Sequence, residues 1–297
     1  MTPRAKPNIL VGTASWTDKS LVQSGWYPKG VNSAEDRLRY YGEHFPIVEA
    51  DSTYYFPPTT RNSQLWADRS PAGFTFNIKA FSLLTGHPTN VRALPKDMVP
   101  KGTTGNIYPK ALKQSDIDSV WDSFAEALTP LKKARKLGFV LFQFPPWFTC
   151  TKDNRDYIVE CAKRIAPLRI CVEFRNHSWL DDDNQDRVFK FLETHDLPYV
   201  AVDMPQGFKS SVPPVLHATS DLALIRFHGH NDKQWESGSV QQRFAYKYSD
   251  KELKSWAPKV VELGKQAAET HVLMNNCHQD WAQDNAASLI ELINESS

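Results

Sequence analysis

The chain has 297 residues, 41% of them hydrophobic and 23% charged, which is ordinary globular usage and sets aside disordered, collagenous and fibrous classes. Basic residues (35) nearly balance acidic ones (34), so no global field draws the chain to nucleic acid or an acidic membrane. Anion binding then has to come from local placement, and a local basic cleft for nucleic acid stays open.

No apolar run approaches the length of a membrane span, and Cys150, Cys161, Cys171 and Cys277 show no C-x-x-C spacing. The expectation is a soluble, cytoplasmic chain with reduced thiols. Asn8 to Trp16 reads as the first strand, ending in small residues where a backbone can approach a ligand. Ser33 with Asp36 predicts a helix start, and Leu38, Tyr41 and Phe45 continue at helical spacing to about His44. The second strand covers about Ile47 to Tyr54, with Glu49, Asp51 and Thr53 on one face. A short helix from Arg61 to Arg69 leads to the third strand, Phe74 to Phe81, where Thr75, Asn77 and Lys79 alternate with Phe76, Ile78 and Ala80.

From Thr85 to about Gln114 there is no sustained periodicity, which predicts a long inserted loop of the kind that covers a site. Ser115 with Asp118 signals the next helix, kinked at Pro130. Gly138 to Pro146 is a fourth strand, apolar except for Gln143, as expected for a strand covered on both faces. A helix near Arg155 to Ile165 precedes Ile170-Cys171-Val172-Glu173-Phe174-Arg175, a fifth strand with Cys171, Glu173 and Arg175 on one face. Asp182 to Thr194 forms the following helix, and Leu197 to Asp203 the sixth strand.

The connection from Met204 to Ser220 contains no convincing helix. Leu222 to Asn231 is the seventh strand, with Leu224, Arg226 and His228 sharing a face. A helix from Ser249 or Asp250 to about Ala268, an eighth strand from Thr270 to Asn276 and a helix from Ala282 to Asn294 complete the pattern. Eight strands alternating mainly with helices predict parallel βαβ units closed into a (β/α)8 barrel, read as one domain over residues 1–297 with residues 85–114 inserted after strand 3. An open doubly wound sheet is the rival, but Gly12-Thr13-Ala14-Ser15 lacks its glycine-rich first turn.

Several motifs recur in the order and spacing of a known family. They are Gly12-Thr13-Ala14-Ser15-Trp16, Glu49 with Ser52-Thr53-Tyr54-Tyr55, Phe76-Asn77-Ile78-Lys79 with His87-Pro88, and Phe142-Gln143-Phe144-Pro145-Pro146. Glu173-Phe174-Arg175-Asn176 with Ser178-Trp179, Asp203, Arg226-Phe227-His228-Gly229, and Asn275-Asn276 with Asn285-Ala286 complete the set. On these residues the chain resembles the YecE-like proteins, the family of domain of unknown function 72, from Asn8 to Ile293. The resemblance implies a TIM-type barrel and a cluster of site residues, with no established reaction. Two positions depart from the family pattern: Ala50-Asp51 stands where an Asn is usual, and His230 where many members carry Arg.

Barrel enzymes build their sites on inward residues at the C-terminal strand ends. That rule selects Glu173, His228, Lys79 and Glu49 as catalytic candidates, with Arg175, Arg226, Gln143, Asp203, Asn275 and Asn276 binding a ligand. Trp16, Tyr54 and Trp179 are the expected pocket walls. The guanidiniums favour a carboxylate or phosphoryl oxygen, and Lys79 among cations is a candidate base or imine-forming nucleophile. The resulting expectation is a hydrolase- or lyase-like enzyme acting on a small anionic or polyhydroxylated molecule, with no cofactor.

The alternatives are a metal-dependent nuclease or phosphoesterase, using a divalent metal on Glu173, Asp203 and His228, and a non-catalytic ligand- or partner-binding barrel. A glycosidase would use Glu49 and Glu173, but the surrounding cations favour an anion. A structural ion-pair network remains the bland reading of the same charges. Oligomeric state is not legible in the sequence.

Overall fold

A computed structural model describes residues 6–236 and 239–296. Eight strands, β1 (Ile9–Thr13), β2 (Ile47–Ala50), β3 (Thr75–Lys79), β4 (Leu137–Gln143), β5 (Ile170–Glu173), β6 (Val200–Asp203), β7 (Leu222–Phe227) and β8 (Glu269–Met274), form one sheet. Every neighbouring pair in it is parallel, including β1 with β8. The two sheet edges, β5 and β6, meet through a parallel bridge between Val172 and Tyr199. The Val172 N–H donates to the Pro198 carbonyl at 2.9 Å. The sheet therefore closes into the expected (β/α)8 barrel.

Local chemistry explains most element boundaries. Ser33 and Asp36 make a reciprocal capping box at the start of the Ala34–His44 helix, and Ser249 and Glu252 do the same for Asp250–Gly264. The predicted Ser115–Asp118 start is different. That helix, Gln114–Ala127, begins without a side-chain cap, and Asp118 instead accepts from Gln114 and Arg164. The expected kink at Pro130 is a break, with a second short helix over Thr129–Lys133.

Strand β2 also stops earlier than its sequence suggests. After Ala50 the chain enters a 3-10 turn over Asp51–Tyr54, so Asp51 and Thr53 leave the strand face shared with Glu49. The Thr53 hydroxyl accounts for the turn, since it lies 2.7 Å from the Ala50 carbonyl and 2.5 Å from that of Lys79. Gly12 is dictated by packing: a Cβ there would lie 2.0 Å from the Ile47 carbonyl oxygen, so only glycine lets β1 and β2 approach this closely.

The inserted region carries 3-10 turns and a two-stranded antiparallel ribbon, Thr89–Asn90 with Asn106–Ile107. Just before it, the Tyr157 hydroxyl donates to the Leu84 carbonyl at 3.0 Å. Between β6 and β7 no helix occurs, as anticipated; the Gln206 amide braces the connection by donating to the carbonyls of Met204 and Val212.

Candidate functional site

The inner face of the barrel carries a charged layer near its C-terminal end. Arg226, fully buried on β7, forks between two carboxylates: Nη2 donates to Glu49 Oε1 at 2.6 Å and Nη1 to Glu173 Oε2 at 2.5 Å. The other Glu173 oxygen accepts from Arg175 Nε at 2.5 Å. Gln143, in register with Glu173 on the neighbouring strand, receives a longer contact from Arg175 Nη2 at 3.4 Å. Arg175 Nη2 also lies 3.0 Å from His228 Nε2. Glu173 Oε1 lies 3.3 Å from the same ring nitrogen. The opposite nitrogen, Nδ1, faces the Asn275 side-chain amide at 2.8 Å.

Burial and pairing set the protonation of this layer. Burial alone would raise Glu173, but Arg175 and Arg226 outweigh it and hold the carboxyl well below the ordinary range. Glu49 has only Arg226 as a direct partner and its Oε2 is left without one, so burial wins and its pKa is raised. Burial, with Arg175 beside it, pushes His228 well down and keeps it neutral. Arg226 is raised, because its two carboxylates outweigh the opposing effect of burial.

Above this layer lies a cavity of about 460 Å³. Lys79 from the end of β3 and Arg175 form part of its floor, and Tyr54, Trp147, Trp235 and Phe244 are among its walls. Arg243 adds a further cation, while Glu236, which accepts from Ser210 at 2.8 Å, is the acidic residue of the lining. Trp235 organises two of the cations, with the guanidinium of Arg175 5.5 Å and that of Arg243 5.9 Å from its ring centre. Lys79 differs from all the inner charges: among the described residues its amine has no hydrogen bond or ion pair, only the face of Tyr54 at 4.8 Å. Burial, then repulsion from Arg226, lowers its pKa to about 8 against the attraction of Glu49, Glu173 and Asp51. His87, fixed by the Thr85 hydroxyl at 2.8 Å, is lowered to about 3 by burial and by the nearby Lys79 and Arg175.

Comparison with known proteins places this geometry. The family model "Protein of unknown function DUF72" matches residues 10–297. The chain belongs to the DUF72 family. UPF0759 protein YunF of Bacillus subtilis (strain 168) is 32% identical over 291 residues, covering 96% of this chain and 94% of that protein. Among solved structures, the DUF72 protein TM1631 of Thermotoga maritima MSB8 superposes with a TM-score of 0.76 at 28% identity, over 97% of this chain and 99% of that one. The DUF72 protein EF0366 of Enterococcus faecalis V583 gives a TM-score of 0.78 at 25% identity, over 96% of this chain and 95% of that one.

The DUF72 motif residues divide into three groups. Glu49, Glu173, Arg175, Arg226, His228, Gln143 and Asn275 converge on the charged layer, with Lys79 and Tyr54 facing the cavity. Asp203 turns elsewhere: it accepts from the Tyr248 hydroxyl at 2.7 Å and pairs with His230 at 3.0 Å. Gly229, at φ 81°, swings the chain away after His228 and donates its N–H to the same Tyr248 hydroxyl. Asn276 braces a loop, through the Tyr246 carbonyl and Asn285.

Two expected walls lie outside the cavity. Trp179 is fully buried, stacked on Phe174 at 4.2 Å with its indole N–H on the Phe148 carbonyl. Trp16 packs edge-on against Trp66 and Phe76 beside a separate crevice. The metal set of Glu173, Asp203 and His228 does not assemble, since Asp203 is bonded away and Glu173 is committed to two arginines. No group of three or more metal-ligating side chains occurs among the described residues.

Sequence reasoning missed His87, Trp147, Trp235 and Arg243 as cavity residues. His87 and Tyr55 were visible in the motifs, but Trp147 and Trp235 sit in turns and Arg243 ends the short helix Val240–Arg243, with no local signal. Asp51 does not line the cavity; burial, with Glu49 nearby, raises it to about 7 despite the opposing charge of Lys79.

Proposed function

We propose that the chain is a barrel enzyme, hydrolase- or lyase-like, acting on a small anionic molecule bound at the C-terminal mouth. One observation carries this reading. Lys79, Arg175 and Arg243 converge on one cavity, and Lys79 has no carboxylate partner while every inner charge is paired. An unpaired buried cation costs stability, and an incoming anion supplies the missing partner. Tyr54, Trp147 and Trp235 offer faces for an apolar or polyhydroxylated portion of the same molecule.

Binding of anions is tested by thermal shift against a metabolite panel sorted by charge. Small carboxylates and phosphates are expected to raise the Tm, neutral analogues of the same size to leave it unchanged, and Arg243→Met to reduce the shift. Equal responses to charged and neutral compounds would refute the reading. Turnover of the stabilising compounds, followed by NMR, separates an enzyme from a binding protein.

A further inference from the structure

Lys79 combines four properties that no other lysine among the described residues shares. It sits at a C-terminal strand end, it opens onto the cavity, it has no hydrogen bond or ion pair, and its ammonium rests on an aromatic face. Contrast Lys136, whose amine donates to two carbonyls and the Ser70 hydroxyl, and Lys247, paired to Asp284 at 2.7 Å. Those amines have their lone-pair positions or protons committed; that of Lys79 is free to react.

We propose that Lys79 is an imine-forming nucleophile for a small oxo acid, a compound bearing an aldehyde or ketone and a carboxylate, with Arg175 and Arg243 holding the carboxylate. The inference rests on the reading of the mouth as an anion site and adds the reacting group. The neutral amine adds to the carbonyl carbon, forming an N–C bond as the carbonyl π pair moves to oxygen. The resulting carbinolamine then loses its C–O bond. The two amine protons and the carbonyl oxygen leave together as water, and the nitrogen lone pair closes the C=N bond. No redox partner is needed.

With its pKa lowered to about 8, Lys79 holds on the order of 100-fold more free amine at pH 7 than an ordinary lysine.

The test is reductive trapping. The protein is incubated at pH 7 with glyoxylate or pyruvate and cyanoborohydride, and labelled peptides are mapped by mass spectrometry. The adduct mass is that of the probe less one oxygen. Lys79 is expected to label at least about tenfold faster than the exposed Lys101 and Lys251, and Lys79→Arg to lose that label while keeping its melt. Its labelling rate should rise with pH through a midpoint near 8 and level off above it, whereas exposed lysines keep rising.

Labelling of Lys79 at or below the exposed-lysine rate overturns the inference. If carboxylates still raise the Tm in that case, the anion site stands and only the covalent step falls. If neutral propanal labels Lys79 as fast as glyoxylate, and carboxylates give no thermal shift, the lysine is a nucleophile but its assignment to oxo acids is overturned along with the anion site.

Discussion

Two neighbouring regions of the barrel treat charge in opposite ways. In the interior, Arg226 is forked between Glu49 and Glu173, and Glu173 in turn accepts from Arg175, so each full charge meets its opposite within 2.6 Å. At the mouth, Lys79 and Arg243 line the cavity with no carboxylate bound to either among the described residues. The difference shows that barrel position alone does not make a charged residue a site residue. A buried charge in contact with its opposite holds structure, whereas one left without a counter-charge carries a cost to stability that function can justify.

The largest effect expected from breaking this contrast comes from its centre. Arg226→Met should cost about 3–5 kcal/mol in denaturant unfolding, because it leaves Glu49 and half of Glu173 buried without a counter-charge. A loss below about 1 kcal/mol would mean that the inner layer is not a structural network.

A smaller effect sharpens the other side. Below about pH 8 Lys79 is protonated in both folded and unfolded states, and its unfavourable burial is fully felt. Between about 8 and the ordinary value of 10.5 the folded protein releases a proton that the unfolded chain retains. The unfolded state then binds more protons, so stability rises with pH across that window. The stability of the parent minus that of Lys79→Met should therefore climb from pH 8 to 10.5; a flat difference would show that the amine is not destabilised by burial.

The smallest effect belongs to the rim. Trp147 is 56% exposed and packs edge-on with His87, so Trp147→Ala should leave the melt unchanged. It should weaken a ligand with an apolar portion by only a few-fold, about 1 kcal/mol or less, as read by calorimetric titration.

Much of the fold was legible because its signals are local. The alternation in Glu173-Phe174-Arg175 sends charge inward and Phe174 outward onto Trp179, as a period of two requires. Ser33 with Asp36 and Ser249 with Glu252 mark helix starts within four residues of chain. Where a hydroxyl intervened, as Thr53 does by ending β2, the same local rules overran the true boundary.

The sequence by itself therefore determined the order of strands, the faces of most of them and the set of charges delivered to one end of the barrel. Only the tertiary structure decided which of those charges meet. Arg226 reaches Glu49 across 177 positions of chain, Tyr248 takes Asp203 out of the site, and Lys79 is left facing the cavity with its amine against a ring and in no ion pair among the described residues. Side-chain periodicity is fixed by backbone geometry within one strand, but pairing depends on the closure and register of the whole barrel, which no short stretch of sequence encodes.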